Sequence, residues 1–289
     1  MRYSQVEVSS PESLDQALEL LAGHGHKLRI ISGGTDVAVY LKDGILKESW
    51  LMNLSRLEGL DYIREEDKYL RIGARVTFSG LVRSRLIRQW APLLSDASVE
   101  VGSLQIRNLA TLAGNVCNAS PAADSLPPLY VHGASVVLSS QKGDRELAMD
   151  QFVLGPRRTA KRPNELLTEI RVPKMASGSR HFFKKLGLRS SQAISVVSVA
   201  ASWKGKDAKI AIGAAAPTVV RAEGAQGFIF SHGLDMRNIH EVCVLVSKAA
   251  SPIDDLRGSK DYRLEAISAL AFEGFYEQLK GAGIDAREA

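Results

Sequence analysis

Residues 110–129 read ATLAGNVCNASPAADSLPPL. These twenty residues hold no lysine or arginine and a single acid, Asp124. Small residues, two asparagines and three prolines interrupt both the helical and the strand period, so the stretch reads as an irregular loop. It offers hydrogen bonding with little charge: the hydroxyls of Thr111 and Ser120, the open backbone of Gly114, and the amides of Asn115 and Asn118. Asp124 can accept from a hydroxyl such as a ribose. An anion held here would have to be held by backbone dipoles. A proline-rich surface loop fits the same residues.

A second stretch has the same character. In KLRIISGGTDVAVYLKDG, residues 27–44, a buried strand over Leu28–Ser32 runs into Gly33-Gly34-Thr35-Asp36, and an apolar helix follows. Paired glycines permit positive φ and close backbone approach. Successive N–H groups ahead of a helix can then face an anion. No Gly-Lys-[Ser/Thr] follows, so this is not a triphosphate loop, and the Gly-x-Gly-x-x-Gly dinucleotide pattern is absent. Alone, GGTD is as well explained by a structural turn as by a phosphate site. Together, the two loops point to a ligand with two phosphates reached from opposite sides, a dinucleotide.

Around these loops the chain alternates strands and helices. QVEV (5–8) reads as a strand, and 9–25 as a helix with Ser10 as N-cap, Pro11 in its first turn and Leu14, Ala17, Leu18 and Leu21 on one face. Residues 60–78 read as a hairpin with its polar tip at Glu65–Lys68, and 79–90 as one helix. Strands are expected over 134–140, 164–173, 181–188 and 209–216, and helices over 193–203, 238–250 and 262–279, with MASGS (175–179) as a linker. Hairpins are frequent enough that α+β is expected rather than a wholly parallel sheet. Among the histidines, His24 and His26 flank Gly25 at a helix end, and none of the six shows a metal-ligand spacing.

With 289 residues, 45% apolar and 24% charged, the composition is that of an ordinary globular protein with room for about two domains. The net charge of +5 is scattered and suits a solvated surface. Cys117 and Cys243, far apart, make neither a disulfide framework nor a four-thiolate site, which fits a reducing cytoplasm. No run approaches the ~20 apolar residues of a membrane span, and MRYSQVEVSSPESL lacks the apolar centre of a signal peptide.

These residues carry a resemblance. SGGTD (32–36) and GSLQIRNLATLAGNVCNASPAAD (102–124) are similar to the two flavin loops of the FAD-binding subunits of molybdenum-containing hydroxylases, the xanthine dehydrogenase and carbon monoxide dehydrogenase family. LRIGARVTFSGL, LLTEIRVP and DDLRGSKDYR (254–263) resemble further family segments, in order along almost the whole chain. The resemblance implies an α+β fold: a two-part PCMH-type, vanillyl-alcohol-oxidase-like FAD domain (1–57 and 58–176), then a smaller α+β domain (177–289). It implies that Ile30, Ile31, Ser32, Gly33, Gly34, Thr35, Asp36 and Val37 line one side of the cofactor. Val101 and Thr111, Leu112, Ala113, Gly114 and Asn115 line the other, with Asn118, Ser120 and Asp124 adding polar contacts. Leu167 packs near the flavin and Lys184 sits near its ring system, where a cation would stabilise reduced flavin. Ala113 stands where the family usually has glycine.

The implied function is electron transfer. This chain, with FAD, takes electrons from a [2Fe–2S] subunit fed by a molybdopterin subunit, and passes them to NAD, quinone or oxygen. The complex is expected to be a dimer of heterotrimers, with no catalytic base, metal site or nucleic acid in this chain. Two cysteines provide no ligand set for an extra iron–sulfur cluster. The competing readings are a stand-alone flavin oxidase of the same fold and a basic nucleic-acid-binding protein.

Overall fold

The computed structural model describes residues 6–46, 50–189 and 192–281. Gln5, at the start of the first expected strand, lies outside them. The first unit is a three-stranded parallel sheet in which Trp50–Asn53 lies between Glu7–Ser9 and Leu28–Ile31. Its helix Leu14–His24 begins later than expected. Ser13 caps it, accepting from the Gln16 N–H, while the Gln16 side chain accepts from the Glu12 N–H. Ser10 has no such long side chain three residues on, so it cannot close the reciprocal cap.

The second unit is a five-stranded antiparallel sheet ordered Ile63–Glu65, Tyr69–Gly73, Leu166–Pro173, Ser135–Ser140, Gly143–Ala148. The hairpin expected at 60–78 forms as read, its tip closed by Glu66 N–H to the Tyr69 carbonyl. The single helix expected over 79–90 is two, Phe78–Arg83 and Arg85–Trp90. Ser84 is extended and its hydroxyl caps the Ile87 N–H, so the chain restarts there instead of continuing.

The expected irregular loop at 110–129 is largely helical, containing Leu112–Asn118 and the start of Leu126–His132. Thr111 caps the first helix, and Ala119 ends it in the left-handed conformation. Pro127 falls in the opening turn of the second, where its missing N–H costs nothing. Leu112, Val116, Leu126 and Leu129 are all buried in the core, and that burial overrides the weak local pattern.

The third unit is a four-stranded antiparallel sheet, Arg180–Gly187, Ser195–Lys204, Asp207–Gly213 and Val220–Arg221, covered by helices Glu223–His232, Ile239–Lys248 and Lys260–Lys280. The helix expected over 193–203 is its central strand. Val197, Val199, Ala201 and Trp203 face the helices of this unit, while Ala200 joins the core shared by the first two units. With both faces buried, the strand loses the polar alternation that would have revealed it. Gly274 lets Lys260–Lys280 lie on the Phe182 ring, where a Cβ would come within 2.3 Å of Cδ2.

His132, at the end of Leu126–His132, is 5% exposed. Its Nδ1 donates to the Pro173 carbonyl at 3.0 Å, and Nε2 is buried with no hydrogen-bond partner among the described residues. Burial pushes its pKa down to about 4, against the pull of that carbonyl, and Lys209 and His181 act in the same direction as burial. The unfolded imidazole, near pH 6.5, thus takes up a proton that the folded one refuses. Stability present above pH 6.5 is lost as pH falls toward 4. Lowering the pH from 7 to 5 is expected to cost roughly 2 kcal/mol through this group. Denaturant melts of wild type and His132→Gln check this: the glutamine variant should lose that much less over the same interval.

Candidate functional site

The strand Leu28–Ile31 and the turn after it meet the segment 101–118 around a cavity of about 630 Å³. Gly33 brings the two loops together. A Cβ there would lie 1.9 Å from the Leu109 carbonyl oxygen, so no larger residue permits the approach. Gly34 follows at φ 73°, a left-handed turn that starts Val37–Lys42. From that helix, Tyr40 donates to the Asn118 Oδ1 at 2.9 Å, a second tie between the loops. The segment 110–112 is held from behind: Phe78 N–H bonds the Ala110 carbonyl, and Leu112 N–H the Val76 carbonyl.

Of the residues singled out from sequence, Ile30, Ser32, Gly33, Gly34, Thr35, Asp36, Val37, Val101, Thr111, Ala113, Gly114, Asn115, Asn118 and Leu167 line this cavity. Ile31, Leu112, Ser120, Asp124 and Lys184 do not. The polar side chains of the second loop largely serve the loop itself. Thr111 accepts from the Gly114 N–H, Asn115 from the Ser125 hydroxyl, and Ser120 from the Ala122 N–H. Ala113 lies inside Leu112–Asn118 and is not a positive-φ residue, so the absence of glycine imposes no backbone strain there.

Lys184 is turned away. It pairs with Glu273 and Glu277 of Lys260–Lys280, each at 2.8 Å, and these carboxylates outweigh its burial and raise its pKa. Alternation along the strand sends Lys185 to the other face, where it meets Asp124 at 2.6 Å. Asp124 also accepts from the Ser195 hydroxyl. Burial pushes its carboxyl up, opposed by Lys185 and Ser195. This pair ties the second loop to the C-terminal sheet. Removing one partner alone would strand a buried charge, at a cost of about 3–5 kcal/mol. Lys185 also lines a neighbouring cavity of about 420 Å³ with Glu100 and Leu186.

Three cations that the loop-based reading missed stand on the wall: Arg29, Arg157 and Lys161. Arg157, itself at φ 56°, donates its N–H to the Ala119 carbonyl and lays its guanidinium over Tyr40, 5.1 Å from the ring centroid. Its charge opposes the burial that raises the pKa of Asp36. Burial lowers the pKa of Lys161, whose Nζ donates to the backbone carbonyls of Arg162 and Glu165. The basic run PRRTAKR, residues 156–162, was the signal for Arg157 and Lys161. Cys117 also reaches the wall, and burial holds its thiol at about 11, an unreactive packed group. Among the described residues no cluster of His, Cys, Asp or Glu is arranged to hold a metal, and no helix is long and apolar enough to cross a membrane.

The wall fits a dinucleotide. It combines a glycine cradle that a Cβ would fill, cations for the phosphates, and apolar Ile30, Leu54, Phe78 and Leu167 for flat rings. This is the two-part α+β architecture of PCMH-type FAD domains, followed by a smaller α+β domain. Residues 4–175 match the family described as "FAD binding domain in molybdopterin dehydrogenase", and 181–278 match "CO dehydrogenase flavoprotein C-terminal domain". The chain is 30% identical to the glyceraldehyde dehydrogenase medium chain of Sulfolobus acidocaldarius, over 92% of this chain and 95% of that one. It is 29% identical to the xanthine dehydrogenase FAD-binding subunit of Escherichia coli O157:H7, over 94% and 95%. A carbon monoxide dehydrogenase chain of Hydrogenophaga pseudoflava superposes with a TM-score of 0.91 at 26% identity, covering 97% of this chain and 99% of that one. The chain belongs to the FAD-binding subunits of the molybdenum hydroxylase family and is an oxidoreductase flavoprotein subunit.

The contact at Gly33 yields a sharp test. Gly33→Ala is expected to part the loops and weaken FAD binding at least about 10-fold, equal to ~1.4 kcal/mol. Ala113→Gly should leave FAD affinity within about twofold while lowering stability by roughly 0.5–1 kcal/mol, the cost of glycine in a helix. Fluorescence titration of the apoprotein with FAD, paired with denaturant melts, measures both.

Proposed function

We propose that this chain holds FAD between its two loops, accepts electrons one at a time from a [2Fe–2S] partner subunit, and delivers them in pairs to an external acceptor. The observation that carries the reading is the joined pair of loops around a cavity lined by the cations Arg29, Arg157 and Lys161 and by apolar side chains. FAD would supply the exchange between one-electron and two-electron transfer.

The residues of the chain bind, orient and exclude water. N–H groups of the Gly33–Asp36 turn and the charges of Arg29, Arg157 and Lys161 suit the pyrophosphate, while Thr35 and Asn118 add polar contacts. Ile30, Phe78, Val101 and Leu167 suit the faces of the rings. Asp124 and Lys185 serve as a buried tie that fixes the second loop against the C-terminal unit. None of this requires a general base or nucleophile.

The domain division 1–57, 58–176 and 177–289 accompanies this reading, supported by a second hydrophobic cluster made only of residues beyond 181. The partners proposed are a molybdopterin subunit and a [2Fe–2S] subunit, assembled as a dimer of heterotrimers. The setting is the cytoplasm, where free Cys117 and Cys243 persist as thiols. NAD, quinone and oxygen are the acceptors to be compared.

The test uses the full chain with and without its partners. Purified protein should release FAD on denaturation. Its flavin colour should bleach under anaerobic conditions only when the reduced [2Fe–2S] subunit is present. Protein that cannot be reconstituted with FAD removes the proposal. Bleaching by a small-molecule substrate without any partner replaces it with the stand-alone oxidase.

A further inference from the structure

The stretch DDLRGSKDYR, residues 254–263, ends in an arginine that is 2% exposed. Arg263 Nη1 donates to the Val196 carbonyl at 3.0 Å and the Ala214 carbonyl at 3.1 Å. Its Nη2 donates to Asp255, and its Nε points to the Gly258 carbonyl at 3.4 Å. Asp255 is fixed in turn by the Arg257 N–H at 2.8 Å and the Arg257 guanidinium at 2.7 Å, and it is held well below the usual carboxylate range despite its desolvation. The two residues at the base of the turn, Asp255 and Gly258, pair through their backbones. A guanidinium buried this fully needs partners for its donors. Here two of those partners are carbonyls of the C-terminal sheet, Val196 at the start of the strand Ser195–Lys204 and Ala214 just past the end of Asp207–Gly213.

Both carbonyls lead back to the cofactor loop. Val196 follows Ser195, whose hydroxyl donates to Asp124. Ala214, at φ 57°, donates its N–H to the Pro121 carbonyl at 3.0 Å. Pro121 and Asp124 bracket the turn between the two helices of the second loop. The next residue, Ser125, donates at 2.6 Å to Asn115, which stands on the cavity wall. Hydrogen bonds and single peptide steps thus run without a gap from the buried arginine to the cofactor cavity.

We propose that Arg263 is a positioning residue for the FAD site. By pinning Val196 and Ala214 it fixes Pro121–Ser125, and through that segment it sets the second wall of the cavity. The inference rests on the FAD reading above and extends it to a motif at the far end of the chain. Linkage makes the relation reciprocal: if the brace favours FAD binding, bound FAD must tighten the brace.

The experiment uses the full chain. Wild type, Arg263→Met, Arg263→Lys, Ser195→Ala and the double variant Arg263→Met/Ser195→Ala are titrated with FAD below their melting temperatures, with visible circular dichroism of the bound flavin recorded alongside. Arg263→Met should weaken FAD binding about 10-fold, the scale of one charge-assisted hydrogen bond. It should also alter the flavin dichroism, with Arg263→Lys recovering part of both. Because both act on one path, the double variant should be weakened by less than the product of the two single effects. Unchanged affinity and dichroism in Arg263→Met, or multiplicative single effects, overturn the brace while leaving the FAD assignment standing. Failure of wild type to bind FAD overturns both. If Arg263→Met does not fold, hydrogen exchange on wild type decides: FAD should slow amide exchange in 254–263, and unchanged exchange there refutes the inference.

Discussion

The cavity between the two loops depends on Gly33 having no side chain. The carbonyl of Leu109 occupies the space a Cβ would need, so the turn after the first parallel sheet and the loop from the antiparallel unit touch backbone to backbone. Neither loop makes the site alone. The contact sets their spacing, and the Tyr40–Asn118 hydrogen bond keeps them from sliding.

The second loop is fastened at several points along its length. Val76–Phe78 pair with Ala110 and Leu112 at its start. The Ala119 carbonyl receives the Arg157 N–H midway, bringing a cation to the wall. Asp124 meets Lys185 and Ser195 at its end. The middle support joins two left-handed residues that are not glycine, Ala119 and Arg157, conformations maintained by the surrounding structure. The loop's asparagines and hydroxyls already have partners, mostly within the loop and, for Asn118, on Tyr40, which makes it a preformed surface. Preorganisation of this kind lowers the ordering cost of binding.

The C-terminal unit is more than an appendage to this arrangement. Its sheet packs one face on its own helices and turns the other toward Leu126–His132, so the central strand Ser195–Lys204 is buried on both sides. Lys184 and Lys185 express that two-sided geometry. One pairs outward with Glu273 and Glu277, and the other pairs inward with Asp124.

The sequence by itself determined much of this protein. Glycines at 33 and 34 after an apolar strand, and the ordered run from Gly102 to Asp124, identified the two loops and the class of ligand, because such close backbone approach admits few residue types. It also placed the hairpin at 60–78 and the long C-terminal helix, whose periodic patterns are local. Only the tertiary structure decided that 193–203 is a strand, since burial on both faces erased its period. Only packing made helices of 112–118 and 126–132, whose composition favours neither element. The choice between Lys184 and Lys185 likewise needed the pleat of a particular strand against particular neighbours. The cations of 157–161 entered the site because a left-handed turn folds them back onto the wall, a relation that separation along the chain conceals.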